Sequence, residues 1–202
     1  MTDAFGDVRA ADILAFHDRA IGIAGWSRHA PEHAEGVWRW IEANHRCNTL
    51  LWDEEDLARR RDVADAEIAG NKRAIDRYNQ LRNDAIERID EALLARLDGI
   101  TPAPDAWHNS ETAGAMIDRL SILALKMHHM GLAASRDDAD DAHRSTCLQK
   151  VARLALQRDD LASCLDTLLA RAQQGQAFWR VYRQFKMYND ETLNPYLVQR
   201  RR

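Results

Sequence analysis

The sequence predicts an all-α protein: an antiparallel bundle of about five long helices, followed by a short C-terminal aromatic helix. Three observations predict it. Apolar residues recur at three- and four-residue spacing through long segments, the pattern of one buried helical face. Nine glycines and four prolines in 202 residues leave little punctuation for the many turns of an all-β fold. The prolines, at 31, 102, 104 and 195, fall between the periodic segments.

The first segment is predicted from about Asp7 to Arg28, ending before Pro31. The second starts at Pro31-Glu32, a pair suited to a first helical turn, and runs to about Arg61. The third extends from about Asp65 to Leu97 and stops at Asp98-Gly99 and the Pro102/Pro104 loop. The fourth opens on Ser110-Glu111-Thr112 as its cap and fades near Ser135. The fifth runs from about Asp138 to Gln174 and stops at Gly175. An aromatic helix from Ala177 to Tyr188 then leads to a turn at Asn189-Asp190 and to Asn194-Pro195. Helices this long, joined by short loops, bury their apolar stripes only by lying side by side. No repeat or low-complexity tract divides the chain, so residues 1–202 are expected to form one domain.

Composition bounds the function. Apolar residues make up 46% of the chain and charged residues 30%, a globular balance. The formal charge of −4, with its signs interspersed, gives no general attraction for phosphate backbones, so nucleic acid is not an expected partner. The basic run Arg200-Arg201-Arg202 reads as a solvated tail. Cys47, Cys147 and Cys164 form no metal-type pair, which suits reduced thiols in a cytoplasm. The opening MTDAFGDVRA lacks an apolar signal segment, and no apolar run is long enough to insert in a membrane. The expected setting is cytoplasmic.

The informative feature is where polar residues fall. The fifth segment has a conventional stripe (Cys147, Leu148, Val151, Leu154, Leu161, Leu165, Leu168, Leu169) broken only by Arg158, which is expected to snorkel or to pair with a carboxylate. The second segment differs. Its stripe reads Val37, Trp40, Ile41, Asn44, His45, Asn48, Leu51, Trp52, Glu55. The third mixes Ile75, Ile86, Ile89 and Leu93 with Asn79, Arg82, Asn83 and Asp90. In the first, His17 sits amid Ile13, Ala20, Ile21 and Ala24. The fourth has two apolar faces, which predicts a central position in the bundle, and turns Glu111 and Asp118 toward other helices.

Buried polar groups cost a few kcal/mol each unless partnered, so these must meet one another, water or a ligand. A hydrogen-bonded network fixing helix register is one outcome. A polar pocket between the second, third and fourth helices is the other. Asn, Arg and His suit hydroxyl-rich or phosphorylated ligands, and Arg82 can grip an anion with two donors.

Familiar catalytic motifs do not account for the pattern. Glu42-Ala-Asn-His45 is a single copy of the Glu-x-x-His spacing that di-metal bundles use twice. His29 and His33 are separated by Pro31, and the zincin glutamate is missing. With no cysteine pair either, no bound metal or other cofactor is expected. There is no Gly-rich phosphate loop and no nucleophile elbow.

Several long strings resemble a bacterial helical family, the domain of unknown function four-two-five-four (DUF4254). They are Phe16-His17-Asp18 through Trp26-Ser27-Arg28-His29, and Trp38 to Trp52. The others are Asn109-Ser110-Glu111-Thr112-Ala113-Gly114, Ile117 to Leu123, and Lys186-Met187-Tyr188-Asn189-Asp190. The resemblance implies at most a role near sugar-nucleotide or surface-polysaccharide metabolism, and it gives no residue a catalytic role.

Periodicity alone therefore supplies the candidates. His17, His45, Glu111 and Asp118 are the expected acid–base groups; Asn44, Asn48, Asn79, Arg82 and Asn83 are the expected ligand binders. The competing expectation is a non-enzymatic helical partner protein whose polar stripes specify register or a homodimer. The aromatic residues Trp179, Tyr182, Phe185 and Tyr188 are expected either to pack back onto the bundle or to form a dimer contact.

Overall fold

A computed structural model describes residues 4–184 and 191–198. Helix accounts for 67% of the described residues. The long elements are α1 (Ala10–Ile21), α2 (Gly36–Leu57), α3 (Asp65–Ala95), α4 (Ala113–Ala134) and α5 (Asp141–Gln173). Between α4 and its flanks run two-residue strands, β1 (Trp107–His108) before it and β2 (Ala177–Phe178) after α5; α6 (Pro195–Val198) is a single turn.

α2 packs along α3, and α4 along α5; α4 also touches α1, α2 and α3. The helix with two apolar faces is thus the central one, and Ile117 and Leu120 in its first half are fully buried. The core gathers around them from Ile13 and Phe16 of α1, Ile41 of α2, Ile89 and Leu93 of α3, and Leu165 and Leu168 of α5. Among the described residues no helix is long and apolar enough to cross a membrane.

Caps explain the starts of the later helices. Thr112 Oγ1 accepts from the Ala115 amide (3.1 Å) and Asp140 Oδ1 from the His143 amide (2.7 Å), each satisfying an orphan donor of the first turn. α1 borrows its cap: Asp166 of α5 accepts from the Ala10 amide at 2.9 Å. Asp166→Ala is therefore expected to lower stability by about 1 kcal/mol, the usual value of a lost cap, measurable by thermal denaturation.

Three boundaries depart from the sequence expectation. α1 stops at Ile21, not Arg28, because the chain turns through Gly25 in the left-handed region (φ 68°) into a 3₁₀ turn at Trp26–Arg28. α2 begins at Gly36, not Pro31: the main-chain amides of Glu32 and His33 donate instead to the carboxylate of Glu42, at 2.9–3.0 Å. The aromatic helix expected at 177–188 is absent from its described part. Gly175 (φ 70°) ends α5, and β2 pairs in parallel with β1 through Trp107↔Ala177 and His108↔Phe178. Trp179 is buried and Tyr182 exposed, while Phe185 and Tyr188 lie outside the described residues.

Arg158 has its carboxylate. Buried on α5, it reaches Asp18 of α1 at 2.8 Å and donates to the Leu14 carbonyl.

Candidate functional site

One carboxylate organises the polar stripes. Asp118, buried on α4, receives on a single oxygen the side-chain amides of Asn44 (2.8 Å) and Asn48 (2.9 Å) from α2. Arg82 of α3 brings its Nε to 3.2 Å of the same oxygen, an ion pair out of hydrogen-bond alignment. The helical repeat makes the meeting possible. Asn44 and Asn48 stand one turn apart, and so do Asp118 and Ser121 on the facing helix. Asn48 also donates to Ser121 Oγ at 3.0 Å, and Ser121 Oγ lies 2.7 Å from His45 Nδ1. The arrangement that satisfies all three has Asn48 donating to Ser121 and Ser121 to His45, leaving the proton of neutral His45 on Nε2.

The network opens at one end onto a cavity of about 330 Å³ between α2, α3 and α4. Its polar wall is Asn48, Glu55, Asp56, Arg59, Asn79 and Arg82; its apolar wall is Leu51, Trp52, Ile122 and Leu125. The volume falls in the range of metabolite sites. Glu55 and Arg59 pair with each other at 3.0 Å, so Arg82, more than a quarter exposed, is the cation that joins the buried carboxylate to the open space.

The two histidines lie behind this assembly, away from the cavity wall. His17 of α1 and His45 of α2 are both fully buried, and their rings stack 4.4 Å apart at 28°. Burial drives His17 well below the usual histidine value, and the neighbouring His45 and Arg158 push the same way. Burial likewise lowers His45 to about 3, against an opposing contribution from the main chain of His17. Both are neutral near pH 7. Neither nitrogen of His17 has a hydrogen-bond partner among the described residues, and Nε2 of His45 has none in good alignment.

The remaining candidates separate. Glu111 stands apart from Asp118 and binds Arg119 at 2.7 Å, on a groove between α4 and α5. Asn79 lines the cavity; Asn83 is not among its lining residues. Two important residues were not among the sequence-derived candidates. Ser121 bridges Asn48 to His45, and its only signal is its place three residues after Asp118. Glu42 points away from His45 toward the 29–35 loop, where Arg46 (2.7 Å) and His33 (2.9 Å) join the two amides on it. Burial alone would raise Glu42, but these hydrogen bonds outweigh it and hold the carboxyl below its usual value. The Glu-x-x-His pair is therefore split, and among the described residues no three His, Cys, Asp or Glu side chains group to hold a metal ion.

Comparison with known proteins rests on one match. The family described as "Protein of unknown function (DUF4254)" matches residues 38–181. The chain belongs to the DUF4254 family. The DUF4254 match runs from Trp38 of α2 through β2, so it contains Asn44, Asn48, Arg82, Asp118 and Ser121 and leaves out His17. No curated protein and no solved structure matches.

Proposed function

We propose that the cavity between α2, α3 and α4 binds a small polar metabolite bearing hydroxyl or phosphate groups, and that the protein works in the cytoplasm. The observation that carries this is the position of Arg82. Its guanidinium is anchored at Asp118 and lines an open cavity, beside the amides of Asn48 and Asn79. Anchoring fixes the donor fork before a ligand arrives, which lowers the entropic cost of gripping an anion or a pair of hydroxyls. Trp52 adds a flat apolar wall of the kind that packs against a sugar ring. A place in sugar-nucleotide or surface-polysaccharide metabolism would suit that ligand chemistry.

Binding is favoured over acid–base catalysis. Two of the four groups expected to move protons, His17 and His45, are neutral, buried and off the cavity. Asp118 already accepts two amide donors and pairs with Arg82. A purely structural network would close without space, whereas this one borders a cavity.

The test is native mass spectrometry of protein purified from its own host. Wild type should carry a co-purifying small molecule. Asn79→Leu and Arg82→Gln should lose it, a drop in affinity of tenfold or more, with thermal midpoints moved by only a few degrees. Absence of any bound species in wild type, or its retention in both variants, would sink the proposal.

A further inference from the structure

We infer that a second cavity, between α4 and α5, binds a free small molecule with an apolar body and an anionic group. It measures about 460 Å³ and shares one wall residue, Trp52, with the polar cavity. Its floor is apolar, made by Trp52, Met130, Ala133 and Leu154. Lys126, Lys150, Arg153 and His129 complete the lining almost entirely with their carbon atoms, so the charged heads of the three cations stand at its rim.

Charge complementarity sets the occupant. Although the chain is net acidic, residues 119–134 of α4 and 142–158 of α5 contain no Asp or Glu. The cations of those stretches divide into two groups. Arg119 pairs with Glu111, Arg158 with Asp18, and Arg144 with the main-chain carbonyls of Arg136 and Asp137. Lys126, Lys150 and Arg153 have no ion pair among the described residues, and these three are the ones that ring the apolar floor. The carboxylates felt at His129 come from α2, Asp53 and Asp56, and Asp56 lines the polar cavity instead. Three unmatched cations around an apolar hollow attract an anion, and the hollow rewards the part of the ligand that water does not.

Trp52 makes the hollow flat. Its ring stacks on His129 at 4.4 Å and 8°, so neither ring can turn without parting from the other. A rigid planar wall suits an aryl body at least as well as an alkyl chain. The volume holds one such molecule, which commits the site to a soluble ligand rather than to a bilayer surface.

Isothermal titration with 2-naphthyl phosphate tests this, with 2-naphthol as the uncharged control. Wild type is expected to bind the phosphate saturably at one site and the naphthol at least tenfold more weakly. Lys150→Glu combined with Arg153→Glu should weaken the phosphate by tenfold or more. Ala133→Phe, which fills the hollow without touching charge, should do the same, and circular dichroism should confirm that both variants fold. Asn79→Leu, on the polar cavity, should leave this binding in place. The inference is overturned by absent or unsaturable binding, by equal affinity for naphthol, or by indifference to both α4–α5 variants. Loss in Asn79→Leu, or binding to phosphatidylglycerol vesicles but not to the soluble phosphate, would overturn it equally.

Discussion

Replacing Gly114 by alanine is expected to destabilise the protein by about 3 kcal/mol or more, because its added Cβ meets the tightest contact of any glycine described. A Cβ at this position would stand 2.5 Å from the Ile86 carbonyl of α3 and 2.9 Å from Asp90 Oδ2. The first is main chain and cannot swing aside, so α3 and α4 would have to separate. Separation also breaks the bond from the Gly114 amide to Asp90 Oδ1, 2.7 Å long and buried, stranding a carboxylate inside the protein. Gly70 provides the contrast. It lies in the same α3 with nothing within 4 Å of its added Cβ, so Gly70→Ala should stabilise by about 0.5–1 kcal/mol through helix propensity. Chemical denaturation of the two variants checks both signs. A Gly114→Ala protein as stable as wild type would mean that the helices do not approach as described.

Acid should unfold the protein well before its surface carboxylates are all protonated. His45 is held at about 3, below the ordinary 6.5, and His17 is also pushed well down. As pH falls through 6.5 the unfolded chain takes up protons that the folded chain refuses. Stability present above pH 6.5 is therefore lost progressively until about pH 3. For His45 alone this amounts to about 5 kcal/mol at 1.36 kcal/mol per pH unit. Asp90 works in the opposite sense. Burial raises it to about 6, against hydrogen bonds from Thr112 and Gly114, so the folded chain takes its proton first. That returns about 3 kcal/mol as pH falls from 6 to about 4. Two histidines outweigh one carboxylate, and the net slope is a loss. Denaturant titrations at pH 7, 5.5 and 4.5 should show falling midpoints. NMR should show the ring signals of His17 and His45 unmoved from pH 8 to 5. Either ring titrating near 6.5 in the folded protein would refute the arrangement.

Most of the fold was readable where helix ends are announced locally, as at three ends of α4 and α5. The Thr112 and Asp140 caps and the left-handed Gly175 lie within a residue or two of the helices they bound. The failures have distant causes. Nothing near Pro31 says that its following amides will bind Glu42, and nothing near Ala177 says that β1 waits to pair with it. The same division holds at the site. Asn44, Asn48, Arg82 and Asp118 stood out because each interrupts an apolar stripe. Glu111 was grouped with Asp118 from their seven-residue spacing, but helical spacing does not apply before the Thr112 cap. Ser121 is small enough to pass in an apolar stripe unremarked. That His17 and His45 stack depends on how α1 crosses α2, which neither stripe contains.

The pairing of β1 with β2 has a consequence for how the molecule opens. The two strands lie about 70 residues apart in sequence, and between them run α4 and α5 with the turn that joins them. Trp107 donates to the Gln176 carbonyl and Asn109 to Phe178, both at 2.9 Å, while Ala103 donates to Gly175 at 2.8 Å. The hairpin is thus fastened at the end where it would otherwise have two loose legs. Helices usually fray from their termini inward, and here both termini are tied to each other. Fraying of α4 and α5 from these tied ends is opposed, which favours opening of the pair as one unit. Each of the two cavities takes a wall from α4, so their shape persists for as long as that unit stays closed.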